Sequence, residues 1–177
     1  MVLAACGGSG DQADARPVPA ATYVRGVCQA LAQWETGVEA EFAEFGRALD
    51  FSERADVIRA GFIDLFEGLD RRLSTAIGRI DEVGTPDVAQ GAELAEDLRD
   101  VLGESGAVFR ETRSKSADLP RTGLEPAIQI EAMLTVVVDQ NKRVLGSLDE
   151  VANRYGAGQL TQAKSAEPTC STLDPDL

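Results

Sequence analysis

The chain has 177 residues, of which 44% are hydrophobic and 27% charged, and its formal net charge is -13. This length and composition are typical of one folded domain, and they exclude a chain that is disordered throughout. The acidic balance argues against nucleic acid as a partner, because binding to a duplex needs a basic face that neutralises phosphates.

The sequence contains no histidine. Histidine is the usual general base near neutral pH and the commonest metal ligand. Its absence excludes Ser-His-Asp and Cys-His catalysis, zinc sites built on histidine, and the Glu-x-x-His sites of di-iron helical bundles. An enzyme working with carboxylates alone would need two acids converging inside the fold, and the apolar stripes described below contain none. We therefore expect a protein that is not an enzyme and that carries no metal and no cofactor.

The chain opens with small apolar residues around a cysteine, Leu3-Ala4-Ala5-Cys6, followed by Gly7-Gly8-Ser9-Gly10. The run resembles the lipobox of bacterial lipoproteins, which implies that Cys6 is diacylated and becomes the new N-terminus. The alternative is a free cysteine near the terminus. An export signal carries a basic stretch and roughly 7–15 apolar residues before its cleavage site. Only five residues precede Cys6, so we expect a trimmed signal whose remainder is encoded upstream.

The segment from Gly7 to Pro19 consists mainly of Gly, Ser, Asp, Ala and Pro, with little to bury. Such a composition favours a flexible coil. We therefore divide the chain into a signal remnant with lipobox and flexible N-terminal tether, 1–19, and a single helical domain, 20–177.

Amphipathic helices are predicted after the tether because apolar residues recur three and four positions apart. The second helix should end at Gly84, and Thr85-Pro86-Asp87 offers a cap, a first-turn proline and an acid for the third. The apolar stripes of the first three helices run from Val24 to Leu49, from Ile58 to Val83, and from Val88 through Ala92 to Phe109.

The fourth helix is predicted to open at a capping box, Thr122-Gly123-Leu124-Glu125, and to end at Gly156. Its inward positions include Val138. The segment from Met133 to Val138 also fits a buried strand, but the three-four spacing continues on both sides and no other strand is available to pair with it. Beyond Gly156, the tail holds a short helix before Cys170.

Four long helices with short loops predict an all-α fold, an up-down-up-down four-helix bundle. In this topology the start of the first helix lies beside the end of the fourth, so a C-terminal tail can fold back to Cys28. Once Cys6 carries lipid, Cys28 and Cys170 are the remaining pair, and a disulfide between them would persist in an oxidising compartment. The alternatives are two buried free thiols or, less favoured, a metal site. The turn near Asp50 and the loop over 114–123 then face away from the membrane.

Two sets of polar residues are candidate binding positions. Arg110, Arg113, Lys115 and Arg121 gather at the outward end, where they could contact an extracellular protein or an anionic wall polymer. The alternative is that basic residues there complement the dipole of the third helix. Asn141 lies among inward positions of the fourth helix, where it either lines a pocket or fixes helix register.

Both ends of the chain carry a family resemblance. With the lipobox, the opening Tyr23-Val24-Arg25-Gly26-Val27-Cys28, Trp34 and the ending Ala166-Glu167-Pro168-Thr169-Cys170, the chain resembles small lipoproteins and secreted helical proteins of actinobacteria. The resemblance implies export and a disulfide, and it carries no catalytic residues over.

We therefore expect an extracytoplasmic protein that is anchored to the outer face of the cell membrane through its N-terminal lipid. Its expected role is that of a non-enzymatic interaction or scaffold module at the cell surface. The alternative is a small-ligand-binding or sensor protein with a pocket between the helices near Asn141.

Overall fold

The computed structural model describes residues 17–48, 55–118 and 125–173. Six helices and two short strands occur in these ranges, and the prediction of an all-α fold is confirmed. They are β1 (Pro17–Val18), α1 (Ala20–Ala48), α2 (Ala55–Val83), β2 (Thr85–Pro86), α3 (Gly91–Ala117), α4 (Glu125–Arg154), α5 (Gly158–Ala166) and α6 (Pro168–Ser171).

The four long helices form because each carries an apolar stripe that is buried against its neighbours. In α1 the stripe runs from Val24 to Val38, and the residues between its members are mostly polar. The largest fully buried side chains come from α1 to α4 and form one core; they include Tyr23, Trp34, Phe62, Phe66, Leu69, Leu73, Leu98, Leu102, Phe109 and Leu148.

Aromatic rings run through the middle of this core. The ring of Trp34 lies 5.8 Å from that of Phe109, and the ring of Phe109 lies 6.5 Å from that of Phe66. Phe62 continues the series, 6.4 Å from Phe66 and 4.7 Å from Phe45. Because aromatic side chains bury large areas, this series contributes much of the apolar contact between α1, α2 and α3.

Each long helix packs against the next one in sequence. Along the contact between α1 and α2, Gly26 lies against Val83 and Glu41 binds Arg72, so residue numbers rise in α1 as they fall in α2. Ion pairs of 2.5–2.7 Å show the same opposite running of residue numbers at the next two contacts. Between α2 and α3 they are Asp81–Arg99 and Asp70–Arg110, and between α3 and α4 they are Glu104–Arg143 and Asp97–Arg154.

The C-terminal segment returns to α1, where both α5 and α6 make contacts. Cys170 in α6 is bonded to Cys28 in α1, and both residues are buried. The predicted disulfide is therefore confirmed, and the alternative of two free thiols is excluded. Glu167 binds Arg25 at 3.0 Å and accepts a hydrogen bond from the backbone N–H of Thr169, which joins the start of α6 to α1.

The predicted start of the third helix is wrong. Residues 85–86 form β2, which pairs in parallel with residues 17–18, and α3 begins at Gly91. Proline at a strand edge needs no N–H partner, so Pro86 fits a strand as well as a first helical turn. Gln90 precedes α3 in the left-handed conformation, with φ of 56°. A side chain at Gly91 would collide with the carbonyl oxygen of Pro86, so this close approach requires glycine.

Two residues predicted to face inward are exposed, Ala92 and Val138. The late start of α3 gives the inward position of its first turn to Gly91 instead of Ala92. In α4 the buried stripe passes through Val137, Asn141 and Val144, and Val138 lies beside it with 42% of its surface exposed. The segment 133–138 is helical, as predicted.

Several predicted features lie outside the described residues. These are Cys6, the tether up to residue 16, Leu49, the turn near Asp50, Arg121 and the capping-box residues Thr122 to Leu124. Residues 17–18, which the sequence assigned to the tether, form β1. The up-down-up-down order of the four long helices stays a prediction.

We expect the double variant Cys28→Ala, Cys170→Ala to lose about 2–5 kcal/mol of unfolding free energy, because the disulfide closes a loop with a sequence separation of 142. Urea unfolding of the oxidised wild type and the variant measures this loss. A reductant should lower the stability of the wild type toward that of the variant and leave the variant unchanged. A difference below about 1 kcal/mol would contradict the expectation.

Candidate functional site

An ion pair between a buried acid and a partly exposed arginine lies at the contact between α1 and α2. The carboxylate of Glu41 accepts a hydrogen bond from Nε of Arg72 at 2.6 Å, and Glu41 is buried. Each partner lies over a glycine of the other helix. A side chain at Gly68 would collide with the Glu41 carboxylate, and a Cβ at Gly37 would lie 2.7 Å from Cδ of Arg72. We call these four residues the α1/α2 ion-pair seat.

A groove of about 390 Å³ lies between α1 and α2 on one side of this seat. Its floor is apolar and buried, and the small side chains of Ala30 and Ala76 make the depression. We call it the basic groove, because three arginines stand on its rim. Its lining residues are Ala30, Gln33, Trp34, Arg71, Arg72, Thr75, Ala76 and Arg79.

A second groove of about 430 Å³ lies on the other side of the seat, toward the end of α1. It shares Arg71 and Arg72 with the basic groove, but most of its charged lining is acidic. Its other lining residues are Glu41, Glu44, Phe45, Gly61, Asp64, Leu65 and Glu67. The two grooves therefore give the α1/α2 face a basic half and an acidic half.

Asn141 is buried in α4, and its side-chain oxygen accepts a hydrogen bond from Nε1 of Trp34 at 3.0 Å. The amide therefore joins α4 to α1 within the core. Asn141 also lines an apolar groove of about 280 Å³ between these helices, together with Val38, Phe42, Val137 and Val138. The structure thus supplies both features proposed for this residue, a fixed hydrogen bond and an adjacent groove.

The described basic residues of the predicted outward cluster are all ion-paired. Arg110 binds Asp70 at 2.7 Å, Arg113 lies 3.5 Å from Glu67, and Lys115 binds Glu111 at 2.7 Å. The hydrogen bond from Lys115 lowers the pKa of the Glu111 carboxyl. The acids offset the positive charge of these residues, so this part of the cluster attracts anions less than the sequence suggested.

Two buried or partly buried phenols have different surroundings. Burial raises the pKa of Tyr23 well above its usual range, and its hydroxyl has no hydrogen-bond partner among the described residues. The Tyr155 hydroxyl donates to Asp97 at 3.0 Å, and partial desolvation followed by this bond raises the pKa of Tyr155. Hydrogen bonds from Arg154 and Tyr155 lower the pKa of Asp97.

The basic groove was not predicted, although the sequence contains a pattern that indicates it. Arg71, Thr75 and Arg79 recur at intervals of four, so they share one face of α2. Finding the groove also requires knowing that α1 places Ala30 and Gln33 opposite this face. That pairing depends on the register between two helices, which the spacing of residues within each helix does not specify.

The ranges 17–48, 55–118 and 125–173 contain neither a cluster of metal ligands nor a helix suited to span a membrane. Within these ranges no three His, Cys, Asp or Glu side chains are grouped as metal ligands. No helix there has the length and hydropathy needed to cross a bilayer. The chain has no match among protein-family models, curated proteins or solved structures.

We expect Asn141→Leu to lower the free energy of unfolding by about 1–3 kcal/mol, because it leaves the buried Trp34 N–H without an acceptor. In combination with Trp34→Phe, the loss should be smaller than the sum of the two single losses. Urea unfolding followed by circular dichroism measures all four proteins of the cycle. Asp139→Ala, an exposed change on the same helix, is the control. Additive losses would contradict a hydrogen bond between the two side chains.

We expect Tyr23→Phe to raise the unfolding free energy at pH 7 by about 1 kcal/mol, because it removes a buried hydroxyl without a partner. Burial keeps the Tyr23 phenol protonated in the native protein, whereas the unfolded chain ionises above about pH 10, so the native protein loses stability as the pH rises further. The variant should therefore lose less stability than the wild type between pH 9 and 11, roughly the range of phenol ionisation.

Tyr155→Phe is the matched control for this measurement. It removes a hydroxyl that donates to Asp97, so it should lower stability at pH 7, in contrast to Tyr23→Phe. Urea unfolding at neutral pH and in the range of phenol ionisation measures the stability of the two variants and of the wild type. A Tyr23→Phe protein less stable than the wild type at pH 7 would show that the hydroxyl has a partner after all.

Proposed function

We propose that this protein is a non-enzymatic binding or scaffold module, held at the outer face of the cell membrane by lipid on Cys6. The observation that carries the extracytoplasmic part is the disulfide between Cys28 and Cys170. Such bonds persist in oxidising compartments and are rare in the cytosol. The lipobox-like run before Cys6 supplies the attachment, and the described helices supply no membrane span of their own.

The architecture that fits this role is an up-down-up-down bundle of α1 to α4. The trend of residue numbers across three successive helix contacts supports it, since each helix runs opposite to the one before. The hydrogen bond between Trp34 and Asn141 joins the first helix to the last. In this arrangement the N-terminus of α1 and the disulfide lie at the membrane-facing end. The α1–α2 and α3–α4 connections lie at the opposite end.

Grooves between helices, instead of a site inside the core, support a binding role. The basic and acidic grooves both open between α1 and α2, and their rims are exposed to solvent. Long helices that project from the membrane expose the grooves between them to the surroundings of the cell. The partner would be an extracellular protein or an anionic wall polymer.

The outward basic residues are less available to a partner than the residues that line the grooves. Arg110 and Arg113 are held by acids of α2, so a partner would have to displace or share those acids. Lys115 is paired within its own helix. Arg121 lies outside the described residues. A contribution of this cluster to partner binding therefore stays a prediction.

A second candidate function is the binding of a small apolar ligand. The observation that favours it is the apolar groove of about 280 Å³ between α1 and α4, next to Asn141. Val138, the exposed large hydrophobic residue of the described chain, lies on its rim. The volume lies just below the usual range for ligand pockets, which run from about 300 to 1,000 Å³.

The experiment that tests the anchor is expression of the gene, with its upstream codons, in an actinobacterial host. We expect the N-terminal peptide from the membrane fraction to start at Cys6 and to carry a diacylglyceryl group, as read by its mass. Cys6→Ala should remove the protein from that fraction, because it lacks the acylated sulfur. An unmodified Met1 terminus in the cytosol, with Cys28 and Cys170 both alkylatable, would refute the extracytoplasmic proposal.

A further inference from the structure

The basic groove contains two arginines with little or no engagement by acids. Arg72 forms an ion pair with Glu41 at 2.6 Å. Arg71 lies 3.9 Å from the same carboxylate, and its side chain is 68% exposed. Arg79 forms no ion pair with any residue that the structure describes, and it is exposed. In a protein with a net charge of -13, this is a local concentration of positive charge.

The wall of the groove opposite α2 adds no negative charge. The residues that α1 contributes are Ala30, Gln33 and the buried Trp34. Glu41 is the nearest acid along α1 on this face, and Arg72 already neutralises it. The apolar floor has a low dielectric constant, so it screens charges on the rim less than open water does. The groove therefore has the electrostatic character of an anion site.

The spacing of the two arginines indicates the shape of the ligand. Arg71 and Arg79 are eight residues apart on one helix, and at 1.5 Å per residue their Cα atoms are separated by about 12 Å. Guanidinium groups carried at that spacing can each bind a different oxyanion. A chain that carries repeated oxyanions along its length can contact both at once.

We propose that the basic groove binds a linear polyanion, whose phosphate or carboxylate groups contact Arg71 and Arg79 while its backbone lies over the apolar floor. The planar guanidinium group donates two parallel hydrogen bonds to an oxyanion, which suits both kinds of group. The acidic groove adjoins at the Arg71 end, so the chain extends from Arg71 toward Arg79. The inference names a ligand class for the proposed binding role, but it does not require the lipid anchor.

Calorimetric titration of the purified full chain with inorganic polyphosphate, at low salt, tests the proposal. We expect Arg71→Gln with Arg79→Gln to weaken binding at least about tenfold, since two charged contacts are lost. The slope of log K against log salt should become shallower by about one to two, because fewer counterions are released. Both residues are exposed, so the melting temperature should stay close to that of the wild type.

Arg143→Gln with Arg154→Gln is the matched control, since it changes the net charge by the same amount at two positions of α4 that do not line the basic groove. This control should bind polyphosphate like the wild type. Equal weakening by both double variants would show a nonspecific charge effect and overturn the proposal. So would failure of the wild type to bind polyphosphate, including the case in which it binds vesicles of anionic phospholipid instead.

Two further titrations resolve the ligand chemistry. Orthophosphate, at the same total phosphate concentration, should compete at least about tenfold more weakly than polyphosphate, because it lacks a second oxyanion linked to the first. Equal competition would overturn the linear ligand. Polyglutamate then separates carboxylate from phosphate: its binding with the same sensitivity to Arg71 and Arg79 supports a general oxyanion groove. Its failure to bind, with polyphosphate binding retained, supports phosphate as the ligand group. Because the protein in these titrations carries no lipid, a failed anchor and a failed groove give different results.

Discussion

The buried indole of Trp34 joins α1 to both α3 and α4 in the core of this protein. From α1 it donates a hydrogen bond to Asn141 of α4, and its ring packs beside Phe109 of α3. It also lines the basic groove, together with Ala76 of α2. A single side chain thus takes part in a polar contact, an aromatic contact and a surface groove. The relative positions of the helices, and with them the shape of the surface grooves, depend on where this ring lies.

Charge on this acidic protein is organised by helix packing as much as by composition. Glu41 and Arg72 meet because Gly68 and Gly37 leave room for them on the opposing helices. Several other arginines also form ion pairs with acids of a neighbouring helix. Arg79 stands apart from these pairs, and Arg71 is only loosely engaged. Positive potential therefore remains in one groove, although the chain as a whole repels anions.

Much of the fold could be predicted because local patterns determine it. The three-four spacing of apolar residues is visible within each helix, so α1, α2 and α4 lie close to where they were expected. The start of α3 was not predictable in this way, because Pro86 fits both a helical first turn and a strand edge. Pro86 lies in a strand because it pairs with β1, which is distant from it in sequence. Among the candidate site residues, the burial of Asn141 followed from its position, whereas its partner Trp34 did not.

The sequence by itself determined the helical class, the apolar stripes, the acidic character and the pair of cysteines available to form a disulfide. These are properties of composition and of spacing within one element, and they need no knowledge of neighbours. The tertiary structure decided which charges are neutralised and which are left over. It paired Arg110 with Asp70 and left Arg79 on the rim of a groove. The physical reason is that an ion pair or a groove between helices depends on their register, which long-range packing sets.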